Sequence, residues 1–95
     1  MAKITQGNAA KNIEKVQPFD AGNLFAVNDK VTGERLNRIG RGNSFPDENY
    51  RYVIYSYATP IAAVTDKNVL VMPDRKYSVT TSKHQYLVRP LVGQL

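Results

Sequence analysis

The sequence predicts an α+β fold, a small antiparallel β-meander of three to four strands with short N- and C-terminal helices. Three observations support this prediction. Residues 50–57 are dense in aromatic and β-branched residues, which suit a pleated sheet. Two further apolar runs, 61–65 and 69–72, are separated by a short polar turn, as in a hairpin. Helix signals precede Pro18 and Pro90, two residues that cannot continue a helix.

The N-terminal helix is predicted to run from Ala9 to Val16. These residues are mostly tolerable helix formers, and Asn8 is a plausible N-cap. Ala9, Ile13 and Val16 fall on one face of such a helix. The helix should stop at Gln17, because the residue before a proline is pushed out of the α region.

The rest of the N-terminal part, up to residue 49, is predicted to contain little regular structure. Residues 19–23 have the composition of a turn, and 24–27 have that of a strand with 28–33 as its return loop. Residues 34–49 contain glycines and a proline and show little periodicity. We therefore expect most of that stretch to be loop.

The C-terminal part, residues 50–90, is predicted to hold the meander and a short helix. Residues 50–57 are apolar on both faces, which predicts an interior strand, and Thr59-Pro60 should break it. Asn68 suits the left-handed position of the next turn. The expected core residues are Val53, Ile54, Tyr55, Ile61, Val64, Val69, Val71 and Leu87.

The last helix is predicted to run from Lys83 to about Arg89. Ser82 and Gln85 have the spacing of a capping box, in which each side chain bonds an amide at the helix start. Tyr86 and Leu87 should dock this helix on the sheet. The amides and hydroxyls at its start, together with Lys83 and the helix dipole, could accept phosphate or carboxylate. Alternatively, the hydroxyls only cap the helix.

Composition and charge limit the function classes. A chain of 95 residues is predicted to be a single domain, and the absence of cysteine excludes disulfides, zinc–thiolate sites and a cysteine nucleophile. No apolar run is long enough to span a membrane, and the first residues lack the apolar block of a secretory signal, so a cytoplasmic protein is expected. The net charge is +5, and residues 67–95 carry five bases against one acid. Such a bias suits an acidic partner or nucleic acid, or simply aids solubility.

Few residues are candidates for catalysis or ligand binding. His84 is the only histidine, and catalysis would need a partner from Asp74, Ser78, Thr80, Thr81 or Ser82. No known nucleophile motif surrounds them, so His84 is expected to cap or pack. No catalytic residue, metal ligand or cofactor site is predicted. The candidate anion- or partner-binding residues are Arg75, Lys76, Thr81, Ser82, Lys83 and His84, and the candidate basic loop contains Arg35, Arg38 and Arg41.

The six tyrosines allow three interpretations. Tyr52 and Tyr55 lie in a strand that is apolar on both faces, which favours the core. Tyrosine is also common at protein interfaces, where its ring is buried and its hydroxyl stays wet. On a sheet flanked by bases, such rings could instead stack unpaired nucleotides.

One segment of the sequence resembles a known group of proteins. Residues 52–62 (YVIYSYATPIA), 71–74 (VMPD) and 77–85 (YSVTTSKHQ) are similar to a small family of uncharacterised proteins from actinobacteria, their plasmids and their phages. The resemblance covers about residues 50–86. It implies a phage or mobile-element origin and supplies no catalytic residue.

Three functions are compatible with these observations. We expect a non-enzymatic accessory protein of a phage or mobile element that binds a host or phage macromolecule, a protein partner above all. The alternative is a sequence-tolerant nucleic-acid binder. A small hydrolase using His84 comes third.

Overall fold

The computed structural model describes residues 2–40, 44–73 and 79–95, without the side chains of Val79 and Thr80. Within these ranges, seven strands form one sheet in chain order, antiparallel except that β1 runs parallel to β2. The α+β class and the meander are confirmed, but the described sheet has more strands than the predicted three to four. The elements are β1 (Ala2–Lys3), α1 (Ala9–Glu14), β2 (Phe19–Ala21), β3 (Leu24–Thr32), α2 (Gly33–Gly40), β4 (Asn49–Ser56), β5 (Thr59–Thr65), β6 (Val69–Val71), α3 (Val79–Val88) and β7 (Gly93–Gln94), with single 3₁₀ turns at Gln6–Asn8 and Arg89–Leu91.

The centre of the sheet is the predicted meander. β4 pairs with β3 on one side and β5 on the other, so the expected interior strand is confirmed. The hairpin from β5 to β6 is also confirmed. Asn68 takes the left-handed conformation there with φ 62°, and Thr65 Oγ1 accepts the amides of Lys67 and Val69 at 3.2 Å each.

The two faces of the sheet are covered by different helices. Below α1 and α3 lies a core that includes Ile13, Phe19, Tyr52 and Ile54. On the other face, Leu36 of α2 packs with a second cluster that includes Tyr50, Val53 and Ala63. Of the predicted core, Val53, Ile54, Ile61 and Val64 are buried, whereas Tyr55, Val69, Val71 and Leu87 are half-buried.

The N-terminal part contains more strand than predicted. Residues 19–21 form β2 rather than a turn, and the turn is reduced to Gly22-Asn23, with Gly22 at φ 76°. β3 continues through the expected return loop to Thr32. An extra residue between Asn28 and Val31 shifts its register against β4, so the strand carries three polar residues and still buries Val31.

The predicted loop over residues 34–49 is wrong for its first half, which belongs to α2. Gly40, Gly42 and Pro46 suggested a loop, but α2 extends from Gly33 to Gly40. A Cβ on Gly33 would lie 2.0 Å from the carbonyl oxygen of Pro46, so only glycine allows this close approach of two backbone segments. Gly40 is the last residue of α2.

The helix at the N-terminal end stops earlier than predicted. α1 ends at Glu14 because Val16 takes a left-handed conformation with φ 52°, and Gln17 then donates to the Asn12 carbonyl at 2.9 Å. Asn8 precedes the helix, but its side chain makes no capping bond and donates instead to Thr5 Oγ1.

The predicted break at Thr59-Pro60 lies two residues too late. The chain turns at Tyr57-Ala58, and Pro60 lies within β5 beside a register shift opposite Tyr55, the kind of irregularity that tolerates a proline.

The last helix begins four residues earlier than predicted. α3 starts at Val79, so Ser82 lies inside it, and the amides of the following residues are used by the helix itself. The predicted capping box is therefore wrong. Tyr86 points to solvent rather than docking the helix, and the buried docking residues are Thr81, His84, Gln85 and Val88.

Candidate functional site

A buried polar cluster fastens α3 to the end of β4. The Ser56 hydroxyl donates to Thr81 Oγ1 at 3.1 Å and lies 2.6 Å from His84 Nδ1. Ser56 is 1% exposed and His84 2% exposed. The helix is thus positioned by polar contacts that bury three hydrogen-bonding side chains together, and these contacts fix its orientation on the sheet.

Burial also determines the protonation of this cluster. Desolvation lowers the pKa of His84 from its ordinary value, because a buried imidazolium loses its hydration. The imidazole is therefore neutral at pH 7. His84 Nδ1 and the Ser56 hydroxyl are hydrogen-bonded, and the tautomer of the imidazole decides which of the two donates.

An exposed tyrosine lies beside this cluster at the turn between β4 and β5. Tyr57 takes a left-handed conformation with φ 57°, and its amide donates to the Asn23 carbonyl at 2.7 Å. Its ring is 47% exposed and lies 6.1 Å, centroid to centroid, from the His84 ring. The turn therefore presents an aromatic ring to solvent next to α3.

The outer face of the helical layer is basic. Lys11 of α1 and Lys15, which directly follows α1, are exposed, whereas Ala9 and Ile13 are buried. On α3 and the turn after it, Lys83 and Arg89 are exposed on either side of Tyr86, which is 74% exposed. We call these five side chains, Lys11, Lys15, Lys83, Tyr86 and Arg89, the basic helical face.

Acidic residues are scarce on this face. Glu14 is the only acid in α1, and α3 contains none. The two helices are in contact, which brings two basic elements together. Four cations against one carboxylate make this surface attractive to an anionic partner.

The opposite side of the sheet has a groove of mixed charge. It has a volume of about 690 Å³, and Lys30, Arg35 and Asp66 all line it. Its floor includes Tyr50, whose pKa is raised to about 12, first by burial and then by the nearby Glu48 and Asp47 carboxylates. Two cations and one carboxylate line this groove, so it presents charges of both signs to a partner.

The predicted anion- or partner-binding residues are only partly brought together. Lys83 is exposed on α3, whereas Thr81 and His84 are buried beneath it, and Ser82 is half-buried within the helix. The Thr81 hydroxyl is engaged with Ser56, and Ser82 lies inside α3 rather than before it. Arg75 and Lys76 lie outside the described residues.

The predicted basic loop is a helix in its described part. Arg35 and Arg38 are exposed on α2, and Arg38 pairs with Glu34 one turn away at 2.6 Å. Such an exposed pair neutralises the local charge and contributes little stability. Arg41 lies outside the described residues.

Sequence reasoning missed Ser56 and the contribution of α1. Ser56 is a polar residue on a strand face that is otherwise apolar, and this exception to the alternation is the signal that could have identified it. Lys11 and Lys15 have the four-residue spacing of one helix face, but only the structure shows that α1 contacts α3, the helix that carries Lys83.

Comparison with known protein families gives one match. A family model described as "Family of unknown function (DUF8033)" matches residues 15–89, a stretch that includes the Tyr57 turn and all of α3. Neither the curated proteins nor the solved structures give a match. In the part of the chain that the structure describes, no helix is long and apolar enough to cross a membrane.

Proposed function

Because the chain belongs to the DUF8033 family, whose function is unknown, its family supplies no activity, and we propose on physical grounds that it is a non-enzymatic binding domain. The observation that supports this most is the basic helical face, which combines four exposed cations with a 74% exposed tyrosine. Charged rims and exposed aromatic rings are features of surfaces that bind macromolecules.

An acidic protein is the first candidate partner. Tyrosine and arginine are enriched at protein interfaces, and complementary charge raises the rate at which partners associate. In this proposal the protein is an accessory factor of a phage or mobile element of actinobacteria and acts in the host cytoplasm on a host or phage protein.

Nucleic acid is the second candidate, and one feature favours it specifically. Tyr86 lies between Lys83 and Arg89, three residues from each, so a ring face and two cations point away from the sheet together. A stacking ring between phosphate-binding cations is the arrangement by which many proteins hold unpaired nucleotides.

A hydrolase mechanism is not part of the proposal. Ser56 and His84 are the one hydroxyl–imidazole pair within the described ranges, but both side chains are almost fully buried. A nucleophile has to reach the substrate, and in this packing a substrate could reach Ser56 only if α3 moved away.

The proposed function is tested by capture from a host lysate with and without nuclease. The parent protein is compared with a Lys83→Glu/Arg89→Glu variant, and Lys67→Glu, in the turn between β5 and β6, is the matched control. We expect the double variant to lose partners that the parent and the control retain. Equal capture by all three proteins would contradict a role for the basic helical face.

A further inference from the structure

Resting on that proposed function, we propose that the partner is a single-stranded nucleic acid, held by stacking on Tyr57 and Tyr86 and by phosphate contacts from the basic helical face. Two exposed tyrosines at α3 make such stacking possible. Tyr57 reaches α3 from the β4–β5 turn at His84, and Tyr86 stands on the solvent side of the same helix. Unpaired bases expose the ring faces that such tyrosines stack on, whereas paired bases hide them.

The conformation of Tyr57 is the first argument. A left-handed conformation is sterically unfavourable for an L-residue, and glycine or asparagine would adopt it with less strain. The turn nevertheless presents a tyrosine, and nearly half of that side chain is exposed. A strained backbone under an exposed aromatic ring indicates a use for the ring beyond folding.

The exposure of Tyr86 is the second argument. Among the exposed large apolar or aromatic side chains of the described residues, it is the most exposed, so its ring contributes little to the core. In α3 it points opposite to the buried His84 and Val88, so a ligand could cover one face of the ring without disturbing the sheet.

The charge around these rings is the third argument. Lys83 and Arg89 flank Tyr86, and Lys11 and Lys15 extend the positive surface across α1. Phosphates recur along a nucleic-acid strand, so several separated cations can be used at once. An acidic protein segment would also be attracted to these cations, and a polyglutamate probe distinguishes it from a nucleic acid.

The cations determine the salt dependence. If all four neutralise a phosphate of a single strand, log Kd should change with log salt with a slope of about 0.7 for each contact, or roughly 2.8 in total. Affinity should then fall about 50-fold between 50 and 200 mM salt. Fewer contacts give a proportionally smaller slope.

The experiment uses the full chain and a fluorescein-labelled 15-nucleotide oligothymidylate, which has no secondary structure. Fluorescence anisotropy is measured at several salt concentrations, with a duplex of equal length and a labelled polyglutamate peptide as comparison probes. We expect the single strand to bind more tightly than either comparison probe, because only its bases are free to stack.

Five variants separate stacking from charge. Tyr86→Ala should weaken binding roughly 5- to 150-fold, the range found when a base-stacking ring is removed, whereas Tyr86→Phe should bind like the parent. Tyr57→Asn removes the other ring and suits the left-handed backbone, so it should weaken binding while the fold is kept. Lys83→Ala should lower the salt slope by about 0.7, and Lys67→Ala should leave it unchanged.

The outcomes distinguish the inferred partner, a single-stranded nucleic acid, from the proposed function of the basic helical face. Ring-dependent binding of the single strand supports the inference. Polyglutamate binding that needs Lys83, without binding of the single strand, overturns the inference and keeps the proposed binding face. If duplex and single strand bind equally and Tyr86→Ala has no effect, stacking is excluded. If none of the probes binds at 50 mM salt and lysate capture is also independent of Lys83 and Arg89, both proposals are wrong.

Discussion

Acidification should destabilise this protein through His84. The imidazole is 2% exposed, and burial lowers its pKa in the folded state below the value of about 6.5 that it has in the unfolded chain. Below pH 6.5 the unfolded chain therefore binds a proton that the folded protein does not bind. The free energy of unfolding is fully retained above this pH and decreases as the pH falls towards the lowered pKa of the folded state.

The size of this effect has an upper limit. One group lowers the free energy of unfolding by at most about 1.4 kcal/mol per pH unit, so the loss between pH 7 and pH 5 is at most about 2 kcal/mol. For a domain of this size, that corresponds to a decrease of roughly 8–16 °C in melting temperature. His84 is the only histidine, and ordinary carboxyl groups titrate mainly below pH 5, so this pH window isolates it.

The assay is urea unfolding followed by tyrosine fluorescence at half-unit steps from pH 5 to pH 8. His84→Gln is the matched control, because its amide remains polar beside Ser56 and does not titrate. The parent should lose stability below pH 6.5, and the variant should show a flat profile. A flat profile in the parent, or an inflection of its single histidine NMR signal above pH 6.5, would refute the reasoning.

Three further predictions concern stability. Ile54→Ala should lower the free energy of unfolding by roughly 2–5 kcal/mol because Ile54 is fully buried in β4; denaturant unfolding measures this, and an unchanged midpoint would contradict the packing. Tyr52→Phe should cost about 1–3 kcal/mol because the Gln17 carbonyl loses the hydroxyl that donates to it at 2.8 Å; an isostable variant would mean that water replaces this bond. Gly33→Ala should cost about 1–3 kcal/mol because its Cβ would collide with the Pro46 carbonyl, whereas Gly7→Ala, with nothing within 4 Å of its Cβ position, is the control and should change the melting temperature far less.

The sequence by itself determined the centre of the fold. The run from Tyr50 to Tyr57 predicts a strand covered on both faces, and Asn68 predicts the turn of the next hairpin, because these signals come from adjacent residues. Local chemistry also indicated that His84 would pack, and the structure shows it buried against Ser56.

Only the tertiary structure showed the helices and strands that are stabilised by contacts with residues distant in the sequence. The second half of β3 contains three consecutive polar residues, and it is a strand because β4 pairs with it across a register shift. α2 begins with a glycine that local propensity disfavours, and it forms because Leu36 is buried against the sheet and Gly33 approaches Pro46.

For the candidate site, too, one part could be predicted from the sequence and another part could not. Its charge excess and its tyrosines are readable from composition, but their placement is not. Lys11 and Lys83 belong to helices about 70 residues apart in the chain, and the fold brings these helices, α1 and α3, into contact. Sequence patterns report which side of an element is apolar, whereas the position of one element beside another depends on packing between residues that are far apart in sequence.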